Sequence, residues 1–198
     1  MSGSLTEEIC AAAARLVVDE GMEYGPAKRK AARVLGRHGT RSAELPDNDR
    51  LEDEVRSHLE LFHADTQPAE LAALRAIARD WMLRMQAFRP HLSGAVWRGT
   101  ATRLSDIHLQ LYCDDAKEAE IALINLRVSY DVGESAGSRG EPVSVLAVCV
   151  PCPAFGAMVT VQMTVLDHDD LRGALKPDTR GRPWRGDLAA LARLLEAA

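Results

Sequence analysis

The stretch GAVWRGTATRLSDIHLQLYCDD, residues 94–115, holds the residue types best suited to chemistry. A short apolar run, Ser93–Trp97, reads as a strand that ends at Gly99-Thr100. After a turn, Ser105-Asp106 leads into an alternation of Ile107, Leu109 and Leu111 with His108, Gln110 and Tyr112, a strand signature. Gly99 lets a backbone come close to a phosphate, and the Thr100 hydroxyl and nearby amides can bond its oxygens. Asp106, at the head of the next strand, is placed to hold Mg²⁺ against the same phosphates. The string G-T-x-x-x-x-S-D equally fits an ordinary turn between neighbouring strands, with Ser105 and Asp106 in local side-chain bonds.

This arrangement resembles the DNA polymerase β-like nucleotidyltransferase superfamily, whose members carry a strand, a Gly-Ser pair, a short helix and a strand beginning Ser-Asp-x-Asp. On that resemblance Gly99 and Thr100 match the Gly-Ser pair, and Ser105 and Asp106 match the Ser and the first metal-binding Asp. His108 stands where the second Asp belongs, and Gln162 is the best occupant of the third carboxylate position, ahead of Asp131 and Asp167. The interval from Gly99 to Asp106 is short for the intervening helix. The resemblance implies that Gly99, Thr100, Arg103 and Ser105 line a nucleotide or phosphate pocket. It also makes Asp106 the metal ligand and catalytic carboxylate, with His108 as second ligand or general base. Two-metal nucleotidyl transfer needs hard oxygen ligands around both cations. An imidazole at 108 and an amide at 162 leave one carboxylate where three are wanted. The reading is therefore a catalytically degenerate nucleotide- or phosphate-binding domain. The alternatives are an active Mg²⁺-dependent nucleotidyltransferase and a nucleic-acid-binding adaptor.

The adaptor reading rests on residues 28–41, which hold Lys28, Arg29, Lys30, Arg33, Arg37 and Arg41 with no acid among them. At about 100° per residue, Arg29, Lys30, Arg33 and Arg37 share one helix face able to meet phosphates. The acidic stretch 44–60 that follows favours a solvated, neutralised face. His58 and His63, five apart, would sit about 140° apart on a continuous helix, and so read as separate solvated side chains. Asp167-His168-Asp169-Asp170 reads as a polar loop, and the basic segment of Arg172, Lys176, Arg180, Arg182 and Arg185 as a wrap that docks Trp184 in the core rather than a loop that closes over a nucleotide triphosphate. Trp81 and Trp97 read as core residues. No Walker loop, H-E-x-x-H or G-x-S-x-G occurs, which excludes the chemistries those motifs carry. Cys149-x-x-Cys152 has no second C-x-x-C to complete a zinc site.

The elements that must position these residues follow from periodicity. Helices are expected after Ser4, with Glu7 in capping-box spacing, then from Pro26 to near Gly36, and from an Asn48 cap along Leu51, Val55, Leu59 and Phe62. A longer helix starts at Pro68 and carries Leu71, Leu74, Ala78, Trp81, Met82, Met85 and Phe88 on one face. Further on, a helix over 115–126 offers Ile121, Leu123 and Ile124 to the core. Strands are expected at Val128–Val132, Val143–Val150 and Val159–Leu166, a glycine-rich turn at Gly133–Gly140, and a last helix from Asp187. This order implies an α+β fold, a nucleotidyltransferase-like mixed sheet flanked by helices over 66–198, after a helical segment over 1–65. The chain has 198 residues and is 46% hydrophobic with a net charge of −5, enough for a core and unlike a general nucleic-acid coat. No apolar run approaches the ~18 residues of a membrane span and the N-terminus has no signal-like pattern, so a cytoplasmic protein with reduced thiols is expected.

Overall fold

The computed structural model describes residues 5–36, 45–137, 140–173, 177–178 and 180–196. Ser4, Arg37, Arg41 and Lys176 lie outside them, as does the side chain of Arg172. The chain divides into two compact units, Met1–Pro68 with Thr100–Leu104, and Ala69–Gly99 with Ser105–Ala198. None of the helices among the described residues is long and apolar enough to cross a membrane.

In the first unit, α1 (Leu5–Glu20), α2 (Tyr24–Val34) and α3 (Asn48–Phe62) surround one core. Ile9, Ala13, Ala14 and Val18 of α1 meet Ala27 and Ala31 of α2 and Leu51, Val55 and Leu59 of α3. The alanines let helix backbones approach closely, and the leucines fill the remaining space. Asp47, not Asn48, caps α3: its side chain accepts from the Arg50 amide at 2.7 Å. Asp47→Ala is expected to cost about 1 kcal/mol, read as a lower urea midpoint with an unchanged slope. Phe62, expected in the core, ends α3 and is 68% exposed. The segment Thr100–Leu104 is held within this unit by Gln67, whose Nε2 donates to the Ala101 carbonyl at 3.0 Å.

The second unit takes up α4 (Gln67–Arg84) from its first turn, and Leu74, Ala78, Trp81 and Met82 form the buried face. Arg75 on α4 donates to the Val96 and Trp97 carbonyls. Then come β1 (His91–Ser93), α5 (Gly94–Arg98), β2 (Ile107–Tyr112), α6 (Ala116–Asn125), β3 (Asp131–Ala136), β4 (Pro142–Cys152), β5 (Ala157–Leu166), α7 (Asp170–Gly173), β6 (Arg185–Gly186) and α8 (Leu188–Glu196). The six strands form one mixed sheet in the order β3-β4-β5-β2-β1-β6, with β2 and β5 parallel and the other pairs antiparallel. The fold is α+β, a mixed six-stranded sheet flanked by helices.

Alternation sorts the sheet into two faces. Leu109 pairs with Met163, which pairs with Leu146; Ile107 pairs with Val161, which pairs with Val148, and all six are buried. This apolar face holds the unit together and leaves the other face for polar residues. Four expectations change. Ser93–Trp97 is not a strand: β1 ends at Ser93 and a single helical turn, α5, follows. The strand expected at Val128–Val132 starts at Asp131, because the Val128 amide is used to close α6 on Leu123 O at 3.2 Å. Part of the expected glycine-rich turn therefore lies in β3, an exposed strand at the sheet edge. Ile121 and Ile124 are 55% and 58% exposed, since the buried stripe of α6 is the narrower one through Ala119 and Leu123.

Candidate functional site

Register places Arg185, Ser93, His108, Gln162, Ala147 and Asp131 side by side across β6, β1, β2, β5, β4 and β3. Asp106 precedes His108 by two residues and so shares its face. It is half-buried, and its Oδ2 accepts from Gln162 Nε2 at 2.7 Å. Asp106, His108 and Gln162 thus form one polar group at the head of the parallel β2–β5 pair. Asp131 is two strand spacings beyond Gln162, roughly 10 Å, and takes no part. Asp167 follows the far end of β5, and its side chain accepts from the Asp169 amide at 2.9 Å. Of the three residues considered for the last ligand position, Gln162 is the one that reaches Asp106.

The turn beside this group is Ser93-Gly94, which the sequence reading passed over. Gly94 has φ +68, and a Cβ on it would stand 3.2 Å from His108 Cδ2. Both the positive φ and the close approach favour glycine at this position. Ser93 Oγ donates to the His108 carbonyl at 3.3 Å, so the turn is fastened to the strand that carries the imidazole. The available signal was the pair of glycines at 94 and 99, spaced to start and stop one helical turn; Gly99 ends α5 in the left-handed region.

The other expected site residues stand differently. Gly99 closes α5 in the sheet unit, whereas Thr100 and Arg103 belong to the helical unit. Thr100 is 3% exposed and its Oγ1 has no hydrogen-bond partner among the described residues. Ala101 and Thr102 are also buried. Among the described residues no helix lies between Gly99 and Asp106; the short helix α5 precedes Gly99. Ser105 is half-buried and Arg103 exposed.

A cationic loop leads into β6 at the edge of the sheet. Asp178 accepts from the Arg182 and Arg180 amides at 2.8 and 2.9 Å, and from Arg98 Nη2 and Arg182 Nε, both at 2.9 Å. Burial alone would push the Asp178 carboxyl up, but these four donors outweigh it and hold it well below the usual carboxylate range. A carboxylate with a lowered pKa stabilises the fold above its unfolded pKa and loses that contribution only as pH falls through the folded one. The clamp therefore persists into strong acid. Its loop delivers Arg185, whose Nη1 donates to Gln110 Oε1 and, at 2.7 Å, to the Tyr112 hydroxyl. Arg185 and His91 also line a cavity of about 480 Å³ with Trp97, Asp187 and Arg193. Trp184 is not docked in the core as expected: it is 40% exposed and lies under the Arg98 guanidinium, 4.7 Å from ring centre to carbon. Trp97 is the buried indole, donating to Pro183 O at 2.9 Å.

On α2, Lys28 donates to Pro46 O and Asn48 Oδ1, both at 2.9 Å, and Lys30 pairs with Glu20 at 2.5 Å. Of the four cations expected to face phosphate, Lys30 is thus engaged within its own unit, as is the neighbouring Lys28. Cys10, Cys113, Cys149 and Cys152 are free thiols.

The donor set is a poor match to the Mg²⁺ that the family resemblance implies. One carboxylate, already hydrogen-bonded to an amide, stands beside an imidazole, whereas Mg²⁺ prefers oxygen ligands in octahedral array. No family model matches the chain, and neither does any curated protein. Among solved structures it is similar to the Cid1 poly(U) polymerase in its MgGTP-bound crystal form, with a TM-score of 0.36 and 14% identity. That similarity covers 49% of this chain and 32% of the polymerase, so the chain spans about a third of that structure's length.

Proposed function

We propose that the sheet unit is a nucleotidyltransferase-like domain that binds a nucleotide or other phosphate-bearing ligand without two-metal catalysis. What carries this reading is the grouping of Asp106, His108 and Gln162 beside the Ser93-Gly94 turn. The order strand, Ser-Gly, one-turn helix, strand beginning Ser105-Asp106 follows the superfamily's arrangement, with the small-residue pair at 93–94 instead of 99–100. Ser93, Gly94 and His108 then take over the phosphate-facing role first expected of Gly99, Thr100, Arg103 and Ser105. Arg185, in line with Ser93 across β6, directs its guanidinium along β2 to Gln110 and Tyr112 on the same face. Asp106 is the one carboxylate of the group, and its Oδ2 accepts from Gln162.

This assignment fixes a sign. With no cation to neutralise it, Asp106 repels a triphosphate, so Asp106→Ala should tighten nucleotide binding about threefold to tenfold in a chelator-treated buffer. His108→Ala should weaken it. Calorimetric titration of the four nucleoside triphosphates checks both. The active-enzyme reading demands the reverse: label transferred to an acceptor with Mg²⁺, and its loss on Asp106→Ala. No heat from any nucleotide would remove the ligand pocket altogether.

A further inference from the structure

The helical unit holds a second cluster of chemistry-bearing side chains. Asp19 lies in the last turn of α1 and His58 in the last turns of α3, while His63 stands one residue past the end of α3. His58 Nε2 is 3.7 Å and His63 Nε2 3.4 Å from Asp19 Oδ1, and the three ligand atoms all lie within 4.8 Å of one another. The 140° separation computed for a continuous helix does not apply, because the backbone leaves helical geometry at His63, with φ −131 and ψ 15.

The fold fixes this arrangement from several directions. Arg50 pairs with Glu7 at the N-terminal ends of α3 and α1, so the two helices run parallel and their C-termini meet at the cluster. Two converging helix C-termini present partial negative charge, which favours a cation. The His63 amide donates to Leu59 O at 2.8 Å, and its carbonyl accepts from Thr66 and Gln67 at 3.1 and 2.9 Å. The His58 ring rests 4.7 Å from Phe62. Both imidazoles are therefore positioned by backbone capping or packing. His58 is mostly buried, at 13% side-chain exposure, whereas His63 and Asp19 leave a way in from solvent at 33% and 52%.

We propose that Asp19, His58 and His63 bind one divalent transition-metal ion of the zinc class, clipping the C-terminal ends of α1 and α3 together. Ligands about 2.0–2.1 Å from tetrahedral zinc stand roughly 3.3–3.4 Å apart, and the two His–Asp separations of 3.4 and 3.7 Å are close to that edge. Two imidazoles and one carboxylate suit a borderline ion such as Zn²⁺ better than Mg²⁺ or Ca²⁺. Three protein ligands leave a coordination position for water.

The test is competition between the full chain and a chromogenic chelator for Zn²⁺, run on wild type, Asp19→Asn, His63→Gln and Cys149→Ser. One zinc per chain is expected in wild type and in Cys149→Ser, which removes an exposed thiol that could compete. Affinity should fall by about tenfold or more in Asp19→Asn and in His63→Gln. Zinc should also raise the thermal midpoint of wild type but not of Asp19→Asn, with helicity at low temperature equal in the two. Asp19 and His63 are both solvent-accessible, so if one variant fails to fold the other still decides the matter. Loss of less than tenfold, absence of stoichiometric zinc in wild type, or loss caused by Cys149→Ser would each overturn the assignment.

Discussion

Gly186→Ala is expected to destabilise the sheet unit by about 2–3 kcal/mol, the upper part of the range for forcing an extra methyl into a packed site. A Cβ at this position would fall 2.0 Å from Trp97 Cη2 and 2.3 Å from Cζ3. The indole has little room to withdraw. Trp97 is 8% exposed, its Nε1 is bonded to Pro183 O at 2.9 Å, and α5, which carries it, is closed at both ends by glycines in the left-handed region. The register on the other side is equally fixed, since Gly186 pairs with Leu92 and Arg185 with Ser93. The substitution must therefore push β6 off β1 or tilt the indole, and either movement displaces Arg185 from the polar row. Denaturant unfolding of Gly186→Ala measures the loss, and Trp97→Leu in the same chain supplies a second reading. Space freed by the smaller side chain should make the double variant less damaged than the sum of the single ones. A cost below about 0.5 kcal/mol for Gly186→Ala would mean that Trp97 does not pack on β6.

What made β6 invisible in the sequence is its length. Two residues have no period, whereas β2, β4 and β5 alternate for six residues or more because one face of each is buried. The same reason explains α5. Ala95, Val96 and Trp97 are a contiguous apolar run that fits a strand or one buried helical turn, and only the left-handed glycines at 94 and 99 decide between them. Reading that run as a strand put the expected small-residue turn at Gly99-Thr100, after α5, whereas Ser93-Gly94 forms the turn before it. Asp106 and His108 were legible because alternation in β2 puts them on one face; their link to Gln162 needed the parallel pairing of β2 with β5, a long-range fact. The Asp19, His58 and His63 cluster was hidden by a correct rule applied one residue beyond its domain, since helical rotation cannot be counted past Phe62. Likewise, nothing in Thr100–Leu104 marks it as part of the helical unit.

Placing carboxylates at residues 108 and 162 should convert the Asp106 group into a Mg²⁺ site, and this is the largest functional effect expected of the protein. Gln162→Glu is isosteric and replaces the Nε2 that now donates to Asp106 Oδ2 at 2.7 Å by an oxygen. Two oxygens bound to one Mg²⁺ at about 2.1 Å stand roughly 3 Å apart along an octahedral edge, so the exchange leaves the atoms near their coordinating separation. His108→Asp adds a third carboxylate on the same face, level with residue 162 in register. Without a cation the double variant brings acids into repulsive contact. Their repulsion lowers the stability of the unit. With Mg²⁺ that loss should reverse: at about one hundred times the dissociation constant, binding returns ~2.7 kcal/mol, or about 5–10 °C in midpoint for a chain of this size. Wild type, with its imidazole and amide, should shift by less than about 1 °C under the same conditions. Thermal melts at about 10 mM Mg²⁺ against a chelator control, with circular dichroism to confirm folding, read the difference directly. A folded double variant indifferent to Mg²⁺ would mean that Asp106, His108 and Gln162 do not surround a cation-sized space. In that case their likeness to a metal centre is confined to the order of residues along the chain, and the degenerate-site reading falls with it.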